Sequence, residues 1–433
     1  MSAPLGWPGI ARLGLVQAAI GAVVMLATSL LNRVMVVEYA LPAAVPAGLV
    51  AWHYAVQLTR PLWGHGSDKG RRRTPWIIGG MALLAFGAML AAQAVTMLGA
   101  RPVTGLALAV LAFSIIGGGV GAAGTSLLAL LAARAAPERR AAAAAITWTM
   151  MIAGIAVTAG VAGGLLDPFS PERLRAVACG VALGAFLLAI VGVYGIERGA
   201  AHAPAATSAQ PSFADAVRRA LADPAARRFT LFVFSSMLAY SMQDLILEPF
   251  SGLMFGLTPG ASTQVSGAQH GGVLAGMILA GVGGSAFRGL PPRGWIVGGC
   301  LGSAVALAGL AGAAVFAPHW PLVANIVALG FANGIFAVAA VGAMIGLAGA
   351  DGGAREGLRL GVWGAAQAIA FGLGGLLGAV AVDAGRTLLG STREAFAIVF
   401  AAEAGLFLVA ARLGSGAARA HAPAPLDLAG AAA

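Results

Sequence analysis

The stretch Trp63-Gly64-His65-Gly66-Ser67-Asp68-Lys69-Gly70-Arg71-Arg72-Arg73-Thr74-Pro75-Trp76-Ile77-Ile78-Gly79-Gly80 decides how the chain is read. Long apolar segments precede and follow it. Between them sits a turn with one carboxylate, Asp68, and four cations, Lys69, Arg71, Arg72 and Arg73. Gly64 and Gly70 allow a sharp reversal, because glycine tolerates backbone angles that other residues avoid. Asp68 can accept hydrogen bonds from the turn or pair with a nearby arginine. A run of arginines between two membrane helices stays on the cytoplasmic side of a bilayer. The simplest alternative is a solvated basic loop.

Part of the stretch recurs. Arg73-x-x-Trp76-Ile-Ile-Gly-Gly is echoed by Arg293-Gly-Trp295-Ile296-Val297-Gly298-Gly299, 219 positions later in a chain of 433. An offset near half the length points to duplication, with the specialised turn kept in the first copy.

Composition agrees. The chain is 59% hydrophobic and 10% charged, against about 25% charged in a soluble domain. That makes it an integral membrane protein. Its 64 glycines suit helices packed backbone to backbone, since lipid supplies no hydrophobic drive between helices. The net charge of +10 sits in short loops and gives no case for a nucleic-acid partner. Cys179 and Cys300 lie in separate apolar runs, which suggests neither a disulfide nor a metal site. The first apolar run is too long for a signal peptide.

A span needs about 20 apolar residues. Twelve candidates result: 12–38, 46–64, 75–98, 103–133, 142–166, 176–196, 229–257, 266–287, 295–316, 321–349, 359–383 and 394–412. Of the 26 Lys and Arg residues, twenty fall in one set of loops. The opposite set holds Arg101, Arg173, Arg175, Arg386 and Arg393, and Arg33 lies within a span. Both termini are therefore expected in the cytoplasm. The expected organisation is a six-helix bundle over 1–197, a linker over 198–228, a second bundle over 229–413 and a disordered tail over 414–433. Within the linker, Phe213, Val217 and Leu221 share one face beside Arg218 and Arg219. That pattern reads as an amphipathic helix on the cytoplasmic leaflet or as a soluble linker helix.

Ionisable residues inside spans face the bundle interior or a cavity. Span 1 carries Asn32, Arg33 and Glu38, and span 7 carries Gln243, Asp244 and Glu248. The two sets are 210 to 211 positions apart and read as repeat equivalents. At about 1.5 Å rise per residue, Arg33, Asp244 and Glu248 belong to the outer half of the membrane. The expectation is that Arg33 pairs with Asp244 or Glu248 and ties the two bundles together. Local neutralisation of Arg33 by Glu38 is the alternative. His53 with Gln57 in span 2, and His270 at the opening of span 8, are 217 apart. A neutral imidazole is a good axial ligand for a chelated metal, though a membrane histidine also serves as a hydrogen-bonded structural residue. Gly117/Gly121, Gly160/Gly164, Gly330/Gly334, Gly342/Gly346 and Gly374/Gly378 have the spacing for close helix contact. Glu403 in span 12 has no explanation at this stage. No nucleotide-binding loop, metalloprotease motif or catalytic triad appears.

The Trp63–Gly80 turn resembles the loop between helices 2 and 3 of major facilitator transporters, with Gly64, Asp68, Lys69, Gly70, Arg71 and Arg72 near that family's pattern. The resemblance implies twelve transmembrane helices in two six-helix pseudo-repeats, all-α, with spans 1 and 7 facing one another. More specific segments narrow it. Leu31–Glu38, His53–Gln57 leading to Arg60-Pro61, Trp63–Gly80, Met242–Phe250 and Gly267–Gly272 resemble the PucC/LhaA family, some members of which are labelled bacteriochlorophyll synthase 44.5 kDa chain. That resemblance implies a non-enzymatic protein of a photosynthetic bacterium's inner (intracytoplasmic) membrane that assists assembly of light-harvesting complexes. It implies bacteriochlorophyll as a transient ligand, with His53, Gln57, Gln243 and His270 as candidate contacts and His53 and His270 as candidate axial ligands to its Mg. Antenna polypeptides, pigment-synthesis enzymes and membrane lipid are the implied partners. Two other readings stay open. One is a solute transporter coupled through Arg33, Asp244 and Glu248. The other is an enzyme of late pigment synthesis, which the missing catalytic constellation disfavours.

Overall fold

The computed structural model describes residues 5–60, 62–63, 72–136, 139–197, 218, 222, 224–286, 292–349 and 356–419. Twelve main helices occur among them. They are α1 (Trp7–Glu38), α2 (Ala44–Val56, continued by a 3-10 turn Gln57–Thr59), α3 (Thr74–Met97), α4 (Pro102–Arg134), α5 (Arg140–Leu166) and α6 (Pro171–Val193). The second half supplies α7 (Pro224–Phe255), α8 (Pro259–Ala286), α9 (Pro292–Phe316), α10 (Leu322–Gly349), α11 (Glu356–Leu389) and α12 (Thr392–Arg419).

The helix ends follow local chemistry. Proline opens α4, α6, α7, α8 and α9, where its missing N–H has no intrahelical role. Gly256 and Gly390 follow α7 and α11 with φ +66°, the left-handed turn that closes a helix with least strain in glycine. α1 departs from the regular form. Leu26–Leu30 and Val34–Glu38 are wound as π-helix, separated by the short α-helical piece Leu31–Arg33.

Ten of the twelve are long and apolar enough to cross a membrane. The other two are α2, which is short, and α8, whose first turns carry Ser262, Thr263, Gln264, Ser266 and Gln269. Those polar residues hid the start of α8 from a hydropathy reading. It begins at Pro259, so His270 lies three turns inside the helix and not at its opening.

The packing has a twofold pattern. α1 packs on α5 and α6, and α7 packs on α11 and α12. α3 packs on α4 and α6, and α9 on α10 and α12. α2 meets α4 as α8 meets α10. Between the halves, α5 packs on α8 and α11 on α2. Each of these pairings recurs six helices later, as duplication requires. One apolar core is built from residues 5–196 with Leu245 and Ala379, and a second from residues 229–411. A small cluster of Ile152, Val273 and Met277 bridges α5 and α8.

Two expected boundaries move. α7 starts at Pro224, inside the stretch assigned to the linker, and α12 runs to Arg419, beyond 413. Arg227 and Arg228 are exposed. A helix continues past the hydrocarbon wherever its charges reach water, so the edge of hydropathy is not the edge of the helix. Phe213, Val217 and Leu221 lie outside the described residues, as do 420–433 of the tail.

Glycine contacts are uneven. A Cβ on Gly330 or Gly334 would overlap backbone oxygens of α8 (Gln269 and Val273), and one on Gly374 would lie 2.6 Å from Leu238 O of α7. Gly117 meets His53 O in the same way at 2.7 Å, and Gly121 lies against Trp63. At the α5–α8 contact it is Gly163 that is tightly packed, where a Cβ would lie 2.7 Å from Gly260 O, whereas a Cβ on Gly160 would meet nothing within 4 Å. Gly342 and Gly346 lie where side-chain surroundings are not described.

Candidate functional site at the seam between the halves

The outer part of α1, from Leu26 to Glu38, runs against α7 and α8. It carries Ser29 in the first π-wound turn and Asn32 and Arg33 in the short α-helical piece, all buried. Arg33 is fully enclosed, at 1% exposure, and its ion pair is with Glu38 of its own helix. The expected pairing of Arg33 with Asp244 or Glu248 is therefore corrected. The cause is the winding. Residues five apart lie on different faces of an α-helix, but π-helix closes i to i+5, so Val34–Glu38 brings Glu38 round to the guanidinium.

Arg33 still joins the two halves, through neutral groups. Its Nε donates to Ser262 Oγ of α8 at 2.9 Å, and Nη2 donates to the carbonyl of Leu257 at 2.7 Å. Asn32 Nδ2 donates to Leu245 O of α7 at 2.6 Å. Ser29 Oγ donates to Glu248 Oε1 and lies 3.1 Å from Ser266 Oγ of α8. Glu248 Oε2 is buried without a hydrogen-bond partner. The seam is thus a network of α1 with α7 and α8, and its one direct ion pair among the described residues is local.

Two carboxylates that the sequence reading passed over close the outer ends. Asp167, just after α5, accepts from Thr258 Oγ1 and from Gly260 N at 3.1 Å, at the start of α8. Asp383 of α11 accepts from Ala43 N at 3.1 Å and Ala44 N at 2.8 Å, at the start of α2. Free N–H groups at a helix start favour a carboxylate.

Deeper in, aromatic rings cross the seam. Phe371 of α11 lies 6.0 Å from Tyr54 of α2 and 5.8 Å from Tyr240 of α7, centroid to centroid. Half-buried Asp244 lies within electrostatic reach of Tyr54, Tyr240 and His270, and its side chain makes no hydrogen bond among the described residues.

The two histidines differ. His270 Nδ1 is 2.9 Å from Ser266 O. A carbonyl only accepts, so Nδ1 carries the proton and Nε2 keeps a free lone pair. His53 Nε2 is 2.8 Å from Gln57 Nε2. Arg60 donates to Gln57 Oε1, which fixes the amide so that its NH₂ donates to His53. His53 Nε2 is then the acceptor and Nδ1 carries the proton, buried without a partner. His53 offers no free lone pair, so its expected part as an axial ligand is corrected, and Gln57 is absorbed in the same relay. Gln243 is fully enclosed, with both amide atoms unpartnered. Of the two histidines expected as axial ligands, His270 is the one whose ring keeps a free lone pair.

At the cytoplasmic end, Gly64, Asp68, Lys69, Gly70 and Arg71 lie outside the described residues. Arg72 is exposed, and Arg73 is buried with Nη1 donating to Ala129 O of α4 at 2.6 Å. The start of α3 is capped by Glu197, from the end of α6, which accepts from Arg73 N at 3.0 Å and Thr74 N at 2.8 Å. Trp63 and Trp76 meet edge-on at 6.5 Å and line an apolar crevice of about 380 Å³ with Leu83 and Ala122.

Comparison with known proteins places this architecture. "Bacteriochlorophyll synthase 44.5 kDa chain" of Rhodobacter capsulatus is 53% identical over 98% of this chain and 99% of its own. "Protein PucC" of Cereibacter sphaeroides is 31% identical over 81% of this chain and 78% of its own. Among solved structures, a bacterial homologue of the lysosomal transporter Spinster superposes with a TM-score of 0.66 at 15% identity, covering 97% of this chain and 100% of that one. A bacterial homologue of the peptide transporters PepT1 and PepT2 superposes with a TM-score of 0.68 at 14% identity, covering 94% and 97%. These likenesses show the major facilitator fold. The family described as PUCC protein matches residues 30–419, and the chain belongs to that family.

Proposed function

We propose that this chain is a membrane assembly factor for bacterial light-harvesting complexes, holding bacteriochlorophyll at the seam on its way to antenna polypeptides. Family membership and the names of its relatives support the pigment-related part of that reading. The observation that carries the site is the free Nε2 of buried His270, whose Nδ1 is held by Ser266 O at 2.9 Å. A bound pigment supplies its own Mg as Lewis acid, and His270 would be its axial ligand. Ser266 fixes the imidazole tautomer, and the Tyr54–Phe371–Tyr240 rings present an apolar wall. With Asp167 and Asp383 holding the outer ends together, the pigment reaches the seam from the cytoplasmic side or sideways from the bilayer. An apolar macrocycle taken from lipid needs no polar translocation path. We place the chain in the inner (intracytoplasmic) membrane with both termini cytoplasmic, on the loop charges. We read it as handling the pigment unchanged and not as catalysing its synthesis.

The test is the absorption spectrum of the protein purified from a photosynthetic host in mild detergent. Pigment should co-purify, and His270→Ala should remove it. A deletion strain should make free pigment normally and lack antenna. Loss of pigment synthesis itself would overturn the reading in favour of an enzyme. The second reading, a solute transporter, is favoured by the unpartnered Asp244 at the seam. It requires solute flux in vesicles that Asp244→Asn abolishes.

A further inference from the structure

Between Ser241 and Phe250 of α7 every residue is buried except Asp244, which is half-buried. Asp244, Tyr240 and Met237 share one face of the helix, and all three keep surface that the protein does not cover. Outward of Asp244 the same face closes on Leu247 and Glu248, both buried. α2 changes in the same way. Ala47 and Val50 are buried in its outer half, whereas Tyr54, one turn further inward, is half-buried. On α11, Phe371 and Gln367 are one turn apart and half-buried. The rings of Tyr54, Phe371 and Tyr240 follow one another at 6.0 and 5.8 Å, centroid to centroid. Ser241 Oγ donates to Phe371 O at 2.7 Å and fixes α7 against α11 at this level. These three faces border a space at the seam that is closed outward.

Asp244 brings a negative charge to that space and meets no protein cation there. Its side chain makes no hydrogen bond or ion pair among the described residues, and both tyrosines lie within its electrostatic reach. The nearby cations are engaged elsewhere. Arg33 is held by Glu38, Ser262 and Leu257. Arg60 lies nearly two turns inward of Tyr54 and donates to Gln57. Arg227 and Arg228 are about four turns away at the inner end of α7, and Arg386 is at the outer end of α11. From α8, His270 lies within reach of Asp244, with its Nδ1 on Ser266 O.

A carboxylate away from bulk water and without a counter-charge attracts a cation strongly. The rings add a second attraction, because aromatic faces are negative and hold a cation lying within about 6 Å of their centroids. A bare metal ion would need a shell of oxygens, which one carboxylate among three rings does not supply. A neutral apolar ligand would gain nothing from Asp244. The chemistry that uses both features is an amine or quaternary ammonium on an apolar body. We infer that the seam binds an organic cation, with Asp244 as its counter-charge and Tyr54, Phe371 and Tyr240 around its apolar part. It enters from the inner side, since Asp167 and Asp383 hold the outer ends together. This gives the transporter reading a substrate class and rests, like that reading, on Asp244, yet binding itself requires no flux.

Equilibrium dialysis with tetraphenylphosphonium tests this on the full chain, made in a host without pigment and held in mild detergent. The size-matched anion tetraphenylborate controls for apolar partition. Wild type should bind the cation saturably and the anion only in proportion to the detergent. Asp244→Asn keeps the side chain's shape, so it should unfold near the wild-type temperature yet bind about tenfold more weakly or worse. Tyr240→Leu should weaken binding about threefold to tenfold, whereas Tyr240→Phe, which keeps the ring, should bind as wild type does. Equal binding of the two ions, or wild-type affinity in Asp244→Asn, would overturn the site. Saturable cation binding without flux in vesicles would uphold the site and sink the transporter reading alone.

Discussion

Asp167 and Asp383 stand 216 positions apart and do the same thing on opposite halves. Each leaves the fifth helix of its own bundle, or the end of it, and caps the second helix of the other bundle. The duplicated chain thus makes two related latches at the outer end. Replacing either carboxylate by alanine should cost about 1 kcal/mol, the usual worth of a helix cap. Because each cap also joins the halves, the double variant should expose the outer ends of α2 and α8 to a membrane-impermeant thiol reagent, read at cysteines placed at Ala43 and Ala261. Equal labelling in wild type and double variant would contradict the latch.

Arg33 should couple to Glu38 and not to Asp244. Arg33 is enclosed while Glu38 reaches solvent, so Glu38→Ala leaves a buried guanidinium without its counter-charge and costs less than the ~3–5 kcal/mol of a fully buried pair. Arg33→Ala should lower the unfolding temperature strongly. Arg33→Lys should lower it too, since an ammonium cannot span Glu38, Ser262 and Leu257 together. A double-mutant cycle should give a large interaction term for Arg33 with Glu38 and near additivity for Arg33 with Asp244.

Helix contact through glycine should be selective. Gly334→Ala puts a methyl group against the α8 backbone and should destabilise by about 1–3 kcal/mol. Gly281→Ala, where a Cβ meets nothing within 4 Å, should be neutral or slightly stabilising by comparison. Thermal unfolding in one detergent compares them directly.

The two histidines should separate in any pigment assay. His270→Ala should lose the pigment spectrum, because it removes the free Nε2. His53→Ala should leave that spectrum in place and instead lower stability, since it strips Gln57 and Arg60 of their relay. The reverse pattern would move the candidate ligand to α2.

Much of this architecture is legible in the residues. Apolar runs, the Trp76/Trp295 echo and the glycine spacing lead to twelve helices in two related bundles. The buried partners are harder. Arg33 is opposite in sign to Asp244 and Glu248 and matched to them in depth, yet the partner of Arg33 is set by a winding that no α-helical wheel contains. Asp167 and Asp383 look like ordinary loop and helix-end residues, because nothing local tells which distant helix start they will meet. The first turns of α8 read as loop, since a helix shielded by neighbours can carry hydroxyls and amides that hydropathy counts as water-seeking.

The two broad coils in α1 have a consequence for how this protein can vary. Each holds more residues per revolution than a regular rod of equal height. Removing a single amino acid from either coil lets it tighten to the regular form, since one more residue fits into a π-wound turn than into an α-helical one. The rod on both sides of the cut then keeps nearly its present compass bearing. A relative one residue shorter in this window would still aim its arginine at the same neighbours.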